Sequence, residues 1–412
     1  MSRDFDVVVI GGGVAGSVVA SLLLAHKLCA AGKVALVAER LTMGGEAAAD
    51  WDPRVFALSR ASERILRDAG VWQNLPSNRV FGYERMCVWD AEGTADGRGS
   101  LSFDCAEIGE PNLGHIVDGR ALQVQAQRAA RDAGVVLIEA TVRDIVIADD
   151  AARIRLGDGR ELRSTLIVAA DGAESPTRRL LGIATAGHSY DQDALVAQVR
   201  TAQPHRETAW QRFLPTGPLA FLPLPDGRAS IVWSTSRKEA ARLRALDVPA
   251  FNEELTQASA GALGACELLT PLTEFPLRLQ YALDYIVPRV VLLGDAAHVV
   301  HPLAGQGLNL GLNDCAALLE VLGDAGNVAA FGDTRVLRRY ERWRKSENLL
   351  AATALDGIER LFSNSNPTLA GMRSLGLGAV AKLDFVRRQA ARRALGLSGD
   401  VPLRGGRPSP HR

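Results

Sequence analysis

Paired cysteines are missing from this chain. Its five cysteines, at positions 29, 87, 105, 266 and 315 of 412 residues, share no repeated spacing. That excludes a disulfide framework or a Cys-rich zinc site and fits a reducing compartment. Net charge is missing too. Lys+Arg and Asp+Glu are both 47, so no basic excess draws the chain to nucleic acid. Lysine is scarce, 5 against 42 arginines, which reflects genome composition rather than function. The start, MSRDFD, is not the basic opening of a secretory signal. Residues 7–25 approach the hydrophobicity of a membrane span, but three consecutive glycines interrupt them, so they read as buried sheet and helix. H-E-x-x-H and G-x-S-x-G are absent, which leaves no helix-borne zinc pair and no serine nucleophile elbow. There is no internal repeat, and low complexity is confined to the final GGRPSPHR, read as a frayed end. The length suits two domains, or two lobes and a tail.

What is present concentrates in two places. Residues 5–10 (FDVVVI) form an apolar strand, followed at once by GGGVAG, with Gly11, Gly13 and Gly16 in G-x-G-x-x-G spacing. An apolar helix over 14–24 and a second strand over 34–38 lead to Glu39 and Arg40. Such a β-α-β unit cradles the pyrophosphate of a dinucleotide, and the acid after the second strand holds a ribose. The second place is GDAAHVVHPLAGQGLNLGLND, residues 294–314. A buried strand over 290–293 ends at Asp295. A turn containing Pro302, Gly305 and Gly307 follows, and then a leucine-rich helix opens. Glycines there let a flat ligand approach the backbone, and a helix start offers free N–H groups to a ring that becomes anionic.

Between these motifs the pattern alternates. Residues 54–69 read as a turn and an amphipathic helix, 83–89 and 101–103 as short strands, 118–133 as a helix, and 135–139 and 166–170 as strands. From about 190 to 285, strand-like runs at 194–200, 209–214, 219–224 and 229–234 are separated by Pro and Gly turns, an antiparallel sheet inserted into an α/β domain. After Asp314 the chain is mainly helical.

GGGVAG, then VAADGAESPTRRLLG, then GDAAHVVHPLAGQGLNLGLND make an ordered triplet that resembles the FAD-dependent aromatic hydroxylases, of the para-hydroxybenzoate hydroxylase type. RVFALSRASERIL, MCVWDAEG, LGHIVDGRALQ, HPLAGQGLNLGLND and the tail RRALGLSGDVPL resemble the ubiquinone-biosynthesis branch of that family. The likeness spans nearly the whole chain. It implies an α/β fold: a Rossmann-like FAD-binding domain (GR2-type), an inserted antiparallel β-sheet substrate domain and a C-terminal helical segment. The domains are expected at 1–78, 114–182 and 288–330 for FAD, 79–113 and 183–287 for substrate, and 331–412 for the helical region. It also implies resident FAD, NADPH (or NADH) as a transient reductant, and O2 used to hydroxylate a phenolic ring, a polyprenylphenol intermediate of ubiquinone biosynthesis. No second glycine fingerprint follows a strand, in keeping with one resident dinucleotide and a visiting nicotinamide. The halogenase motif W-x-W-x-I-P is absent. Another aromatic substrate, or a non-catalytic lipid-binding or scaffold subunit on the same fold, remains an alternative.

The resemblance assigns residues. Gly11, Gly13 and Gly16 hold the pyrophosphate, Glu39 the adenosine ribose, and Arg40 covers the adenine. Arg54 and Arg120 lie near the flavin chain and pyrophosphate, with Gln123 and Val142 as further contacts. Asp171 and Gly172 mark the cleft the nicotinamide visits. Asp295 holds the ribityl chain, and Pro302, Gly305, Gly307, Leu308 and Asn309 face the ring. His298 and His301 are the candidates for acid–base work, His298 otherwise a hydrogen-bonding residue of the flavin loop. Their H-x-x-H spacing has no Cys/His partner, so no metal site is expected. Residues 379–397 place apolar side chains on one helical face beside Arg387, Arg388, Arg392 and Arg393, the pattern of a helix lying on an anionic membrane surface. A cytoplasmic protein is expected, peripheral at the inner face of the membrane, with other ubiquinone-biosynthesis proteins as partners.

Overall fold

Every residue from 7 to 10 is apolar, so a strand there has no face to offer water. In the computed structural model, Val7, Val8 and Val9 are fully buried. The structure describes residues 2–43, 50–95, 97, 100–300 and 306–362, with Gln389, Arg392, Leu395, Gly396 and Pro402. Strand Ser2–Ile10 runs parallel between Val34–Ala38 and Glu161–Ala169, with Val7 opposite Val34 on one side and Leu166 on the other. Val136–Glu139 extends this sheet in parallel at one end; at the other Val290–Leu292 joins in parallel and Ile286–Val287 pairs antiparallel beyond it. An antiparallel meander, Val142–Ile147 and Ala152–Leu156, joins Glu161–Ala169.

Parallel neighbours need crossovers, and helices supply the cover. Val14–Ala25 packs on Gly119–Asp132 and on Gln306–Ala325, which in turn meets Thr334–Phe362. Caps set the starts locally. Asp118 accepts the Ala121 N–H at 2.8 Å at the head of Gly119–Asp132, and Ser59 caps Arg60–Asp68.

The inserted sheet has nine strands among the described residues. All its neighbours are antiparallel but one: Arg85–Asp90 runs parallel to Thr208–Leu214. Its long strand Thr185–Thr201 pairs with Arg228–Ser236 on one side and Thr273–Ala282 on the other. The 194–200, 209–214 and 229–234 runs lie inside strands of this sheet, and 219–224 does so up to Pro223. Strand Thr273–Ala282 and helices Arg237–Arg244 and Val248–Ala258 were not legible in the turn-rich texture. The reading of 54–69 is corrected. Only Arg60–Asp68 is helical, and Val55–Ser59 is a strand paired with Gly114–Asp118. That pairing partner lies some 60 residues away, beyond the reach of local pattern.

Asn309 fastens helix Gln306–Ala325 to strand Val55–Ser59, which with Gly114–Asp118 and Val80–Tyr83 forms a small third sheet. Its buried side chain accepts the Ser59 N–H at 2.9 Å and the Ser62 hydroxyl at 2.6 Å, and donates to the Ala57 carbonyl at 2.9 Å. Replacing it with Ala strands buried backbone groups, at about 2–3 kcal/mol. We expect Asn309→Ala to lower the denaturant midpoint of the apoprotein by that amount; an unchanged midpoint refutes this role.

Candidate active site

The three fingerprint glycines meet three different surroundings. Gly11 has φ +118°, and a Cβ on it would lie 2.2 Å from the Ala170 carbonyl oxygen. Gly16 packs the helix onto the turn, where a Cβ would lie 2.1 Å from the Gly11 carbonyl oxygen. Gly13 is extended, and a Cβ there would meet nothing within 4 Å. The first and third glycines are therefore required by the protein itself, and the second by whatever fills the space.

That space is a cavity of about 980 Å³. At one end lie Gly13, Ala15, Thr42, Arg54, Arg120, Gln123, Gly172, Asp295, Gly307 and Leu308. Gly172 and Gly307, like Gly13, have open space where a Cβ would stand. Gly294 and Gly311 pack backbone on backbone, a Cβ on Gly311 coming 3.3 Å from the Gly294 Cα. The other end is the inner face of the nine-stranded sheet, with Ala194, Val196, Ala220, Val232 and Phe275, and with Gln211 and Ser234 as neutral polar groups. Tyr83 and Met86 form a side wall, and burial pushes the Tyr83 phenol up to about 12.

The remaining assigned residues divide between the cavity and other places. Glu39 and Arg40 are exposed just past the end of Val34–Ala38, and neither lines the cavity. Arg54 stacks over the Phe56 ring at 5.0 Å, and Arg120 lies 3.8 Å from Asp52. Asp171 turns its carboxylate to the Ser175 hydroxyl and to the Thr177 N–H at 2.9 Å, so it organises the start of Pro176–Leu180. Val142 lies on the meander, packed in the core behind the sheet, not at the cavity. The Asn309 side chain points to the Val55–Ser59 strand, as described above. His301, Pro302 and Gly305 lie outside the described residues. His298 is buried, with Nε2 2.6 Å from the Asp314 carboxylate. No group of three or more His, Cys, Asp or Glu suited to a metal occurs among the described residues.

Three positioning side chains had only faint signals in the sequence. Gln127 donates to the Gly12 carbonyl at 2.6 Å and accepts from the Thr42 N–H at 2.7 Å, clipping the glycine turn to the loop after the second strand. Its signal is a polar residue on the apolar face of a helix. Arg178 donates to the Ala296 and Ala173 carbonyls, 2.8 Å each, tying the 171–173 turn to the 294–296 turn. Burial lowers its pKa against the raising effect of Asp171 and Glu174. Asp314 is fully buried and accepts from Gly294 N, His298 Nε2, Arg344 Nε and Asn348 Nδ2. Burial alone would raise its pKa; the Arg344 charge and the hydrogen bonds from His298 and Arg344 outweigh that and hold it well below the usual carboxylate range.

A cradle of open glycines, with an acid and two arginines beside it, suits a large dinucleotide running into a ring. The FAD binding domain family model matches residues 4–348. The chain belongs to the FAD-dependent aromatic hydroxylases, in their ubiquinone-biosynthesis branch. It is 34% identical to the 3-demethoxyubiquinol 3-hydroxylase of Escherichia coli strain K12, over 96% of this chain and 100% of that protein. It is 32% identical to the mitochondrial ubiquinone biosynthesis monooxygenase COQ6 of Homo sapiens, over 93% of this chain and 91% of that protein. The solved structure of p-nitrophenol 4-monooxygenase PnpA from Pseudomonas putida DLL-E4 superposes with a TM-score of 0.75 at 18% identity, covering 96% of this chain and 99% of that one. That last likeness shows the fold.

The hydroxylase therefore takes FAD, and the open positions at Gly13, Gly172 and Gly307 fit it. Bound, the flavin supplies the two-electron and oxygen chemistry that side chains lack. The chain's own part is to bind, orient and keep water out. We expect Gly13→Val to leave the apoprotein folded and to cut retained FAD at least tenfold. Gly16→Val should instead destabilise the apoprotein by about 1–3 kcal/mol or more. Full flavin occupancy in Gly13→Val, or equal stability of both variants, breaks this division of roles.

Proposed function

We propose that this monooxygenase hydroxylates the phenolic ring of a polyprenylated intermediate of ubiquinone biosynthesis, with NADPH or NADH as reductant. The observation that carries the reading is the single cavity joining the glycine cradle to an apolar sheet face. A ring seated under Ala194, Ala220 and Val232 lies on the same continuous space as the flavin loop, so no separate transfer step is needed. Gln211 and Ser234 offer neutral hydrogen bonds to ring oxygens. The apolar lining suits a prenyl chain and excludes water from the reacting ring. The names of the relatives point the same way: 3-demethoxyubiquinol 3-hydroxylase in one case, ubiquinone biosynthesis monooxygenase in another. The reductant is proposed to dock at the mouth beside Gly172, where Glu174 and Arg278 form an ion pair.

In the proposed cycle the residues act mainly by position. Gly13 and Gly307 admit the cofactor, Asp295 orients it by hydrogen bonding, and Arg54 and Arg120 meet its phosphates. With a matching prenylphenol, NADPH oxidation should accelerate, and labelled O2 should place one labelled oxygen in the product. Label entering from water rules the reaction out.

Peripheral membrane contact is proposed for the 379–397 helix, most of which lies outside the described residues. Among those described, no helix is long and apolar enough to cross a membrane. Arg392 is exposed, whereas Leu395 is buried against Cys105 and Leu113. Leu395 thus packs on the body of the protein. Replacing Arg387, Arg388, Arg392 and Arg393 with Gln should weaken sedimentation with anionic vesicles, by about 1 kcal/mol per basic residue near the surface, with FAD content intact. Vesicle binding that the four substitutions do not change would show that these arginines take no part in it.

A further inference from the structure

His298 is a buried titratable group that the proposed reaction does not use, and among the described residues only one of its ring nitrogens has a partner. Nε2 faces the Asp314 carboxylate at 2.6 Å, so Nε2 carries the proton. Nδ1 is buried and has no hydrogen-bond partner among the described residues, while the residue as a whole is 3% exposed. His298 lines a second, small cavity of about 30 Å³, closed by Gln280, Tyr285, Lys345, Asn348, Leu349 and Ala352. That is room for one water. Val299 and Val300 line this cavity and the flavin–substrate cavity alike, so the two spaces share one wall. Leu349 is about half exposed, which puts solvent behind the small cavity.

The groups facing His298 come from three elements. From the strand beside it and the turn that follows come Tyr281, its paired residue, and Tyr285, stacked on its ring at 6.2 Å. From helix Gln306–Ala325 comes Asp314, and from helix Thr334–Phe362 come Arg344, Lys345 and Asn348. Asp314 and Arg344 cancel in charge. Lys345, held on the Leu283 carbonyl at the outer side of the cavity, adds one positive charge, so a second proton on the imidazole would raise the cluster by one further positive charge, three residues from Asp295 and one hydrogen bond from the Gly294 N–H. The Nε2 bond need not break to accept it, because Nδ1 is the vacant acceptor.

The geometry points to His298 as a redox-linked proton site: it takes a proton on Nδ1, through the small cavity, when the bound flavin is reduced. This rests on the flavin reading above. Hydride transfer from a nicotinamide oxidises the nicotinamide and leaves one added negative charge on the cofactor; the proton comes from solvent and ends on His298. The two charges offset each other in a water-poor interior, where such attraction is strong. In electrode terms, two electrons are accompanied by one proton on the flavin and one on the histidine. The same charge would favour the reduced cofactor until oxygen or product release discharges it.

Spectroelectrochemical titration of the flavoprotein from about pH 5 to about pH 8 tests this without turnover. The parent should show a window with twice the proton uptake per two electrons seen in His298→Gln. Gln keeps an N–H for Asp314 but cannot be protonated. Ala352→Leu, which fills the small cavity and leaves the Nε2 bond, should also lower the uptake; it serves should His298→Gln fail to hold flavin. Equal proton uptake in the parent and in the variants that retain flavin overturns the assignment of His298 while leaving the flavin site standing. Protein that purifies colourless and cannot be reconstituted with FAD overturns the flavin reading instead.

Discussion

The Asp314 carboxylate, fully buried and met by four donors, holds the flavin-binding half together. A buried charge survives only if it is paired and hydrogen-bonded throughout. Here its donors come from two regions distant in sequence: the turn at Gly294 with the short strand at His298, and Arg344 and Asn348 on the helix Thr334–Phe362. Meeting the needs of one ion therefore fixes where the flavin loop, its following helix and the last long helix sit. Removing any donor would leave charge uncompensated in the interior, so these parts are coupled in stability as well as in space.

The same economy governs the glycines. The turn at Gly11 must pass under the Ala170 carbonyl, and the helix at Gly16 must touch the Gly11 carbonyl. These contacts close the parallel sheet over its crossover and leave Gly13 free of duty to the fold. Gln127 and Arg178 do for the loops what the glycines do for the backbone. Each spends its donors on carbonyls of a turn that lines the cavity, so the cradle is preorganised before ligand arrives. The cavity runs from that cradle to a sheet face of small and branched side chains, and residues of the small sheet, Val55, Phe56, Ala57 and Tyr83, line it as well.

Periodicity and spacing carried much of this in the sequence. The apolar run before GGGVAG, the strand ending at Glu39 and the turn at Gly305–Gly307 name a dinucleotide corner because such a corner is local: strand, turn and helix start lie within a few dozen residues. Strands 194–200, 209–214, 219–224 and 229–234 were legible for the same reason, each bounded by its own turn. Val55–Ser59 was not, since nothing within its window distinguishes a short strand from a turn before a helix, and only its pairing with Gly114–Asp118 decides. Thr273–Ala282 fell in the same gap.

Residue type told which chemistry a side chain could serve, and the fold told which it does serve. Asp171 and Asn309 sit in cofactor motifs, yet their side chains cap a helix and fasten a strand. Gln127, Arg178 and Asp314 were ordinary members of helices or motifs until partners 20 to 120 residues away gave them work. By itself the sequence determined the β-α-β corner, the inserted sheet and the family, because these depend on backbone periodicity and on glycine at close approaches. Tertiary structure alone decided how the buried polar groups pair and that cradle and sheet face enclose one cavity. A hydrogen bond is set by distance and angle between atoms, and chain order does not encode either until the core has packed.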